Sequence, residues 1–327
     1  MIRIRRRQFL LAAVALATAP SARPQERPRR IGCLFGGSSG THNDALDAFR
    51  RGLAEHGWTE GRNVTIELRF AEGRIEHVPA LAAELVASRP DVILTAANPV
   101  TVEILKATRS IPIVMATGAD PVEFGLVASL SRPGGNLTGL TGFYESTPIK
   151  MLELASALVP RGAQVAVIVE ANTVVARERY RKELADTAQK LGLRTQIFEV
   201  ARPDDLKRTV DALARNRPDA LIVMPGPMIF ARGKDLVDRA AALSIPAVYP
   251  FEEMTEAGGL MSYAPDLMES YRRAARYVDR ILRGANPGEL PIEQPTKVRL
   301  AINLRTARAQ AIQVPQAILQ RADRVIE

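Results

Sequence analysis

Cysteine, histidine and aromatic residues are scarce in this sequence. Cys33 is the only cysteine among 327 residues, which excludes a disulfide framework and a cysteine metal cluster. Because it lies in an apolar segment that reads as a strand, we interpret Cys33 as a small buried apolar residue. The histidines show no spacing typical of metal ligands, so no metal site is expected: His42, His56 and His77.

Motifs that bind cofactors or assemble a catalytic centre are also lacking. The Gly/Ser-rich loop 36–41 is not G-x-G-x-x-G, and no Gly-Lys-Ser/Thr follows it, which makes a nucleotide site a weak interpretation. Cys33 has no evident partner that would activate it as a nucleophile. Asp120 is the best-placed acid, but one carboxylate is not a mechanism. The sequence therefore predicts no catalytic residue, no cofactor and no enzymatic activity.

The basic excess of the chain is confined largely to its start. The sequence has 44 Lys and Arg against 36 Asp and Glu, a formal net charge of +8. Five arginines lie within residues 1–25, which contain no acidic residue, so the remaining chain carries +3. Other arginines alternate with acidic residues, as in 177–183, a pattern typical of a solvated helix face. Nucleic acid is therefore not an expected partner.

The first 22 residues combine a basic start, a short apolar run over 11–17 and small residues after it. This pattern is typical of a secretory signal peptide, and the run is too short to span a bilayer. Arg6 and Arg7, followed by Gln8, Phe9 and Leu10, also fit a twin-arginine signal. The alternative, a disordered basic tail, explains the arginines but not the apolar run. We expect a signal peptide over residues 1–25 and a periplasmic mature protein.

Beyond a polar, Pro-rich linker, apolar strands alternate with amphipathic helices, and this order occurs twice. The first series covers 31–115 and the second covers 165–249. Two short sequence motifs recur at matched positions: Arg-Pro-Asp at 89–91 and 217–219, and Ile-Pro at 111–112 and 245–246. The alternation predicts parallel sheets covered by helices, and the repetition predicts two similar lobes.

The predicted fold class is α/β, with two similar doubly wound parallel-sheet lobes joined by a three-crossing hinge. We expect the first lobe to comprise residues 26–142 and 252–288. The second lobe then comprises 143–251 and 289–327. The chain would cross between the lobes near 142–146, near 249–252 and near 284–295. Such a hinge opens and closes but resists twisting.

The loops at the carboxyl ends of the strands are the expected binding region. Parallel sheets bind ligands there, because loops and helix N-termini converge at that edge. Two facing lobes would bring six such loops to one cleft. These loops are rich in hydroxyl, amide and bare backbone N–H groups, which suit a carboxylate or another anion.

Several of these positions also have a purely structural interpretation. The loop 36–41 is a plain strand-to-helix turn if Ser39 or Thr41 caps the helix. Asp120 is explained equally well by capping the turn at Pro121. Aromatic residues near the proposed crossings would either sandwich a flat ligand or belong to the core: Tyr144, Phe230, Tyr249 and Phe251.

Five stretches of the chain resemble segments of a known protein family: 120–122 (DPV), 131–139 (SRPGGNLTG), 258–263 (GGLMSY), 290–297 (LPIEQPTK) and 302–304 (INL). Together they resemble the ABC-transporter substrate-binding protein family whose Gram-positive members are tied to tryptophan and tyrosine uptake. The resemblance covers roughly residues 30–327. It implies a type I periplasmic-binding fold, closure on a small ligand and docking to a membrane permease.

The resemblance, together with the loop positions, gives a set of candidate ligand-binding residues. They lie on the cleft-facing loops or at the hinge: Ser38, Ser39, Asn98, Thr117, Asp120, Tyr144, Asn172, Tyr249 and Phe251. The Pro133–Asn136 segment is instead interpreted as a tight turn that serves the fold.

The expected function is that of a periplasmic solute-binding protein of an ABC importer. It would close on a small carboxylate-bearing ligand, an amino acid or an aromatic acid, and dock to the permease in the inner membrane. The aromatic content of 5% weakens the case for an aromatic ligand. An alternative is a periplasmic sensing subunit that signals to a membrane kinase with the same clamp. An exported enzyme on a related scaffold is a further alternative.

Overall fold

The computed structural model describes residues 27–142, 146–173, 176–295 and 297–327. The predicted signal peptide therefore lies outside the described residues. The strands are β1 (Arg29–Phe35), β2 (Val64–Phe70), β3 (Val92–Ala96), β4 (Ile113–Thr117), β5 (Leu137–Gly139), β6 (Gln164–Glu170), β7 (Arg194–Val200), β8 (Ala220–Val223), β9 (Ala247–Tyr249), β10 (Met261–Pro265), β11 (Val298–Asn303) and β12 (Arg324–Ile326).

The helices alternate with these strands along most of the chain. They are α1 (Ser39–Glu55), α2 (Val78–Ala87), α3 (Asn98–Ala107), α4 (Thr147–Ser156), α5 (Glu178–Lys190), α6 (Pro203–Arg215), α7 (Pro227–Ala231), α8 (Gly233–Ala242), α9 (Glu252–Glu256), α10 (Leu267–Leu282), α11 (Leu304–Ala309) and α12 (Gln316–Leu319). Among the described residues, no helix has both the length and the apolar character that a membrane span requires.

The first sheet contains five parallel strands in the order β2-β1-β3-β4-β5. Every residue of β3 is buried, as expected for a parallel strand that is covered by helices on both faces. Side chains alternate between the two faces, so Val92 and Leu94 pack against α1 and α10, whereas Ile93 packs against α2 and α3. This arrangement gives the first lobe two apolar layers on either side of one sheet.

The second sheet repeats this plan and extends it. Its order is β12-β11-β10-β9-β8-β6-β7, in which β7-β6-β8-β9-β10 corresponds strand for strand to the first sheet. The helices α4 and α5 cover one face, and α6 and α8 cover the other. The added strand β11 runs antiparallel to β10, while the other pairs are parallel. The prediction of two similar α/β lobes is confirmed.

The two short motifs that recur in the sequence make the same hydrogen bonds in both lobes. The Asp91 carboxylate accepts a hydrogen bond from the N–H of Arg30 at the start of β1, at 2.8 Å. The Asp219 carboxylate accepts one from the N–H of Gln164 at the start of β6, at 2.7 Å. The prolines of the Ile-Pro motif also match. The carbonyl of Pro112 accepts a hydrogen bond from the N–H of Ile93, and the carbonyl of Pro246 accepts one from the N–H of Leu221, both at 2.8 Å. Each copy of a motif therefore aligns neighbouring strands of its own lobe.

The chain passes between the sheets at 142–147, at 265–267 and at 293–298. The predicted lobe bounds differ from the structure over 289–293, which they assigned to the second lobe although Leu290 and Ile292 pack in the core of the first. They also differ over 252–265, which they assigned to the first lobe. This segment lies with the second sheet, because Met261 and Ser262 of β10 pair with β9. The second crossing therefore follows β10 rather than lying near 249–252.

The helix α10 returns to the first lobe and packs along α1. Gly52 allows their close approach, since a Cβ there would meet the carbonyl oxygen of Arg272 and lie 2.8 Å from the Cβ of Ala275. Next to this contact, the Trp58 Nε1–H donates a hydrogen bond to Asp279 at 2.8 Å. The first lobe is thus completed by a helix that follows most of the second lobe in sequence.

Candidate functional site

A cavity of about 130 Å³ lies between the two lobes, at the carboxyl ends of their strands. A single buried water needs only about 10–15 Å³, so the cavity is large enough for one small molecule. The first lobe lines it with Gly36, Gly37, His42, Ala96, Ala97, Asn98, Pro99, Thr117, Gly118, Ala119 and Gly142. The rest of the wall is Thr147, Thr173, Pro225, Gly226, Pro227, Phe230, Pro250, Phe251, Tyr263, Pro265, Leu267, Ser270 and Tyr271.

Glycine residues bring backbone of the two lobes close together at this cavity. A Cβ on Gly36 would lie 2.5 Å from the Cβ of Pro227, which belongs to the other lobe. A Cβ on Gly226 would lie 2.7 Å from the Cβ of Glu170, immediately behind the wall. Neither position has space for a side chain: glycine at 36 lets the two lobes meet, and glycine at 226 lets the loop after β8 pack against Glu170 within the second lobe.

Three aromatic rings form a continuous wall that joins the lobes. The imidazole of His42 meets Phe230 edge to face, with ring centroids 5.1 Å apart. Phe230 meets Phe251 in the same way at 4.9 Å. On its other side, His42 stacks on Phe35 at 4.7 Å. Edge-to-face and offset contacts of this kind are favourable for aromatic rings, so the wall is preformed for a flat apolar group.

His42 is held neutral inside this wall. Its side chain is buried, and Nδ1 lies 3.1 Å from the carbonyl oxygen of Ser38 and 3.2 Å from the hydroxyl of Thr41. Burial lowers the pKa of His42 to about 4, although the hydrogen bond to Ser38 acts in the opposite direction. At neutral pH the imidazole is therefore an uncharged part of the cavity wall.

We expect His42 to make the protein less stable in acid. The unfolded chain binds a proton at the ordinary histidine pKa of 6.5 and the folded chain near 4, so stability is lost as pH falls from 6.5 to 4. The loss amounts to about 3 kcal/mol. Urea unfolding at pH 7 and pH 4 measures it against His42→Phe, which removes the titrating group and keeps a ring. Parallel pH profiles of the two proteins would contradict the expectation.

The polar groups of the wall are uncharged. None of the lining residues in the described ranges is Asp, Glu, Lys or Arg. Asn98 ties two loops together, since its Nδ2 donates to the Ala119 carbonyl and its Oδ1 accepts from the Ala119 N–H at 3.0 Å. The hydroxyls of Thr173 and Ser270 donate to the backbone carbonyls of Glu170 and Asp266. A ligand would therefore meet neutral hydrogen-bonding groups on this wall.

A buried carboxyl group lies directly behind the wall of the second lobe. Glu170 ends β6, and its Oε2 accepts hydrogen bonds from the N–H groups of Met228 and Ile229, at 2.9 and 3.1 Å. Burial raises the pKa of Glu170 to about 7, while these two hydrogen bonds oppose the rise. The start of α7 is thus occupied by a carboxyl group of the protein itself.

Three of the candidate binding residues line the cavity. They are Asn98, Thr117 and Phe251. They meet because Asn98 follows β3, Thr117 ends β4 and Phe251 follows β9, which places all three at the facing edges of the sheets. Tyr144 lies outside the described residues.

The other described candidates do not line the cavity. The Ser38 hydroxyl accepts from the Thr41 N–H and caps α1, and Ser39 is exposed at the start of that helix. Asn172 is exposed in a turn, where its φ of 63° is left-handed, and Tyr249 is buried in the core of the second lobe. Ser38 therefore stabilises the start of α1, and Tyr249 belongs to the core of the second lobe.

Asp120 joins the two lobes beside the cavity rather than lining it. Its Oδ1 accepts from the N–H of Glu123 at 2.9 Å, as the turn-capping interpretation expects. Its Oδ2 accepts a hydrogen bond from the hydroxyl of Tyr180 in the second lobe, at 3.4 Å. The guanidinium of Arg177 also lies over the ring of Phe124 in this region, at 4.4 Å. The lobes therefore touch at a second place outside the cavity.

The expectation that motifs of a catalytic centre are lacking needs one correction: residues 36–40 fit the Gly-x-Ser-x-Gly pattern of serine hydrolases, between a strand and a helix. Ser38 does not have the geometry of a nucleophile, because its φ is −99° and its hydroxyl is engaged with Thr41. The ring of His42 contacts the Ser38 carbonyl rather than the hydroxyl. The pattern here marks a helix cap.

Several lining residues were not predicted from the sequence, His42 and Thr147 among them. His42 lies in the first turn of α1, immediately after the Gly/Ser-rich loop 36–41. Its short distance to Ser38 is a consequence of helix geometry. Thr147 begins α4, and the Ser146-Thr147-Pro148 sequence is a helix-start signal that indicates a position near the cleft only once the crossing is known. Within the described ranges, no three potential metal ligands lie together.

Comparisons with known proteins agree with this architecture. A family model described as ABC transporter substrate binding protein matches residues 39–326. A tyrosine-binding protein of Clostridioides difficile (strain R20291) is 26% identical over 270 residues, which cover 82% of this chain and 77% of that protein.

Two solved structures have a similar fold. An ABC domain from Streptococcus pneumonia in complex with L-Trp is 26% identical, with a TM-score of 0.82 over 91% of this chain and 100% of that chain. A conserved domain protein from Vibrio cholerae is 24% identical, with a TM-score of 0.83 and the same coverage.

Proposed function

Because the chain belongs to the ABC transporter substrate-binding protein family, we propose that it captures an amino acid or an aromatic acid and delivers it to the permease of an ABC importer. The observation that carries this proposal is the cavity between the lobes. It is the size of one small molecule, has a preformed aromatic wall, and offers neutral polar groups at its edge.

The relatives support this class of ligand. One is named for tyrosine, and another was crystallised with L-Trp. Both ligands are aromatic amino acids with a carboxylate, which suits a wall formed by His42, Phe230 and Phe251. In this proposal the ligand ring packs on that wall, and Asn98 and Thr117 border its polar end.

Ligand binding would work by closing the lobes. The cavity wall is complete only when both lobes contribute, so a ligand stabilises the closed arrangement over an open one. Three chain crossings form the hinge, which is the usual construction for closure around a ligand. The permease would then recognise the closed form, in which both lobes present their surfaces together.

We further propose that this chain acts in the periplasm and is not an enzyme. Substrate-binding proteins of this family are a non-enzymatic class that acts outside the cytoplasm, and residues 1–25 would export this chain to the periplasm. Export by the twin-arginine route fits Arg6 and Arg7. No turnover of the bound ligand is expected.

Thermal unfolding against a panel of amino acids, aromatic acids and short carboxylates tests the proposal. A ligand at about 100 times its Kd adds about 2.7 kcal/mol to the stability of the folded state, which corresponds to a rise of several degrees in Tm. We expect L-tyrosine, L-tryptophan or a related aromatic acid to produce such a rise.

Phe230→Ala is the companion variant for this measurement. It removes the central ring of the aromatic wall, and we expect it to abolish most of the ligand-induced rise. A flat panel from protein that mass spectrometry finds free of a copurified ligand would contradict the proposed ligand class. An equal rise in the wild type and the variant would contradict the role of the wall.

A further inference from the structure

Several helices begin at the cavity, and three of them have their first turn capped by a side chain of the protein. The Ser38 hydroxyl caps α1, and the Asp266 carboxylate caps α10. The Glu170 carboxyl group accepts from the first turn of α7. The partial positive charge at these helix starts is thus met by groups of the chain itself.

The start of α4 is different. Ser146 precedes this ten-residue helix, but its side chain makes no capping hydrogen bond. The first turn of a helix has N–H groups without an intrahelical acceptor, and here Thr147 and Ile149 carry such groups, since Pro148 has none. The end of α4 that faces the cavity is therefore electropositive and uncapped.

The side chain of Thr147 is an independent sign of a missing partner. It lines the cavity and is 4% exposed, yet its hydroxyl oxygen has no hydrogen-bond partner among the described residues. Leaving a buried hydroxyl unpaired is costly, so native proteins satisfy nearly all such groups. A ligand in the cavity would supply the acceptor.

The start of α3 is a weaker candidate for the same role. It also lacks a side-chain cap, but the amide of Asn98 is engaged with Ala119 and the hydroxyl of Thr101 donates to the Ala97 carbonyl. No unpaired buried hydroxyl of the described chain lines the cavity there. The observations converge on α4.

We propose that the carboxylate of the ligand binds at the N-terminus of α4 and accepts a hydrogen bond from the hydroxyl of Thr147. This inference rests on the proposed function and adds the orientation of the ligand in the cavity. The ring then lies toward Phe230 and Phe251. The carboxylate lies away from the start of α7, where the Glu170 carboxyl group already occupies the N–H groups. Thr147 is accordingly a specificity-determining residue for acids.

The test compares ligands that differ only in the carboxylate. Isothermal titration would measure L-tryptophan, L-tyrosine and their carboxamides against the wild type, Thr147→Val and Thr147→Ser. A hydrogen bond to a charged group contributes more than one to a neutral group, so Thr147→Val should weaken binding of the acid about 10- to 100-fold. Binding of the carboxamide should change several-fold less, and Thr147→Ser should restore most of the acid affinity.

Thr255→Val is the matched control. The hydroxyl of Thr255 is also buried and unpaired within the described chain, but it does not line the cavity. This variant should bind the acids as the wild type does.

The outcomes separate the two proposals. If the wild type binds an acid and Thr147→Val binds it equally well, or loses acid and carboxamide equally, the orientation is wrong and the proposed function stands. If the wild type binds neither acid nor carboxamide, the ligand class itself fails, and the orientation falls with it.

Discussion

Gly36→Val is expected to weaken ligand binding by about 10- to 100-fold while both lobes remain folded. The substitution places a side chain where a Cβ alone would lie 2.5 Å from the Cβ of Pro227. Pro227 is rigid and belongs to the opposite lobe, so the clash cannot be relieved by a rotamer change. Overpacking of this kind costs typically 1–3 kcal/mol and occasionally more, and the hinge relieves it by opening. Ligand binding, which needs the closed arrangement, carries the loss.

Gly40→Val provides the matched control four residues later in the same segment. Gly40 is exposed, and the nearest atom to a Cβ there is the Ser38 hydroxyl oxygen at 3.9 Å. This variant should bind ligand as the wild type does. Titration calorimetry measures affinity, and small-angle scattering with and without ligand reports closure. Wild-type affinity and normal closure in Gly36→Val would contradict the role of this lobe–lobe contact.

Gly139→Ala is expected to lower the stability of the protein by about 4 kcal/mol, or Tm by about 6 °C. Gly139 ends β5 with a φ of +127°, a conformation that L-residues rarely adopt. A Cβ there would overlap the carbonyl oxygen of Met115 and lie 2.7 Å from its nitrogen. Both atoms belong to the backbone of β4, so β5 must move away from the sheet.

The consequences extend to the third crossing of the chain. The carbonyl of Gly139 accepts a hydrogen bond from the N–H of Glu293 at 3.0 Å, just before the chain returns to the second sheet. Moving β5 breaks this bond as well. Gly135→Ala is the control, since its φ is not left-handed and a Cβ would have no described neighbour within 4 Å beyond the adjacent residues. Thermal unfolding of both variants decides the question, and equal Tm values would contradict the predicted strain.

Much of the architecture followed from local patterns. Apolar strands and amphipathic helices alternate twice, and Asp91 and Asp219 make equivalent hydrogen bonds at the strand starts of their lobes. The position of β10 did not follow. Strand Met261–Pro265 is a short apolar segment that would suit either sheet, and only its pairing with β9 assigns it to the second.

The candidate binding residues were likewise only partly predictable from the sequence. Asn98, Thr117 and Phe251 line the cavity because each follows or ends a strand, and strand ends of parallel sheets share an edge. Ser38 caps a helix and Asn172 lies in a turn at the same edge, since such side chains hydrogen-bond their own backbone as readily as a ligand. The structure alone separates these two uses.

Local sequence patterns thus specify the set of elements, their repetition and the edge of the sheets at which the cavity lies. These depend on periodicity and turn chemistry, which act over a few residues. The wall of the cavity is a product of the tertiary structure. His42 meets Phe230 and Gly36 meets Pro227 only because the two lobes are brought together. Contacts between segments so distant in the chain depend on how the lobes close, and local sequence carries no signal of that geometry.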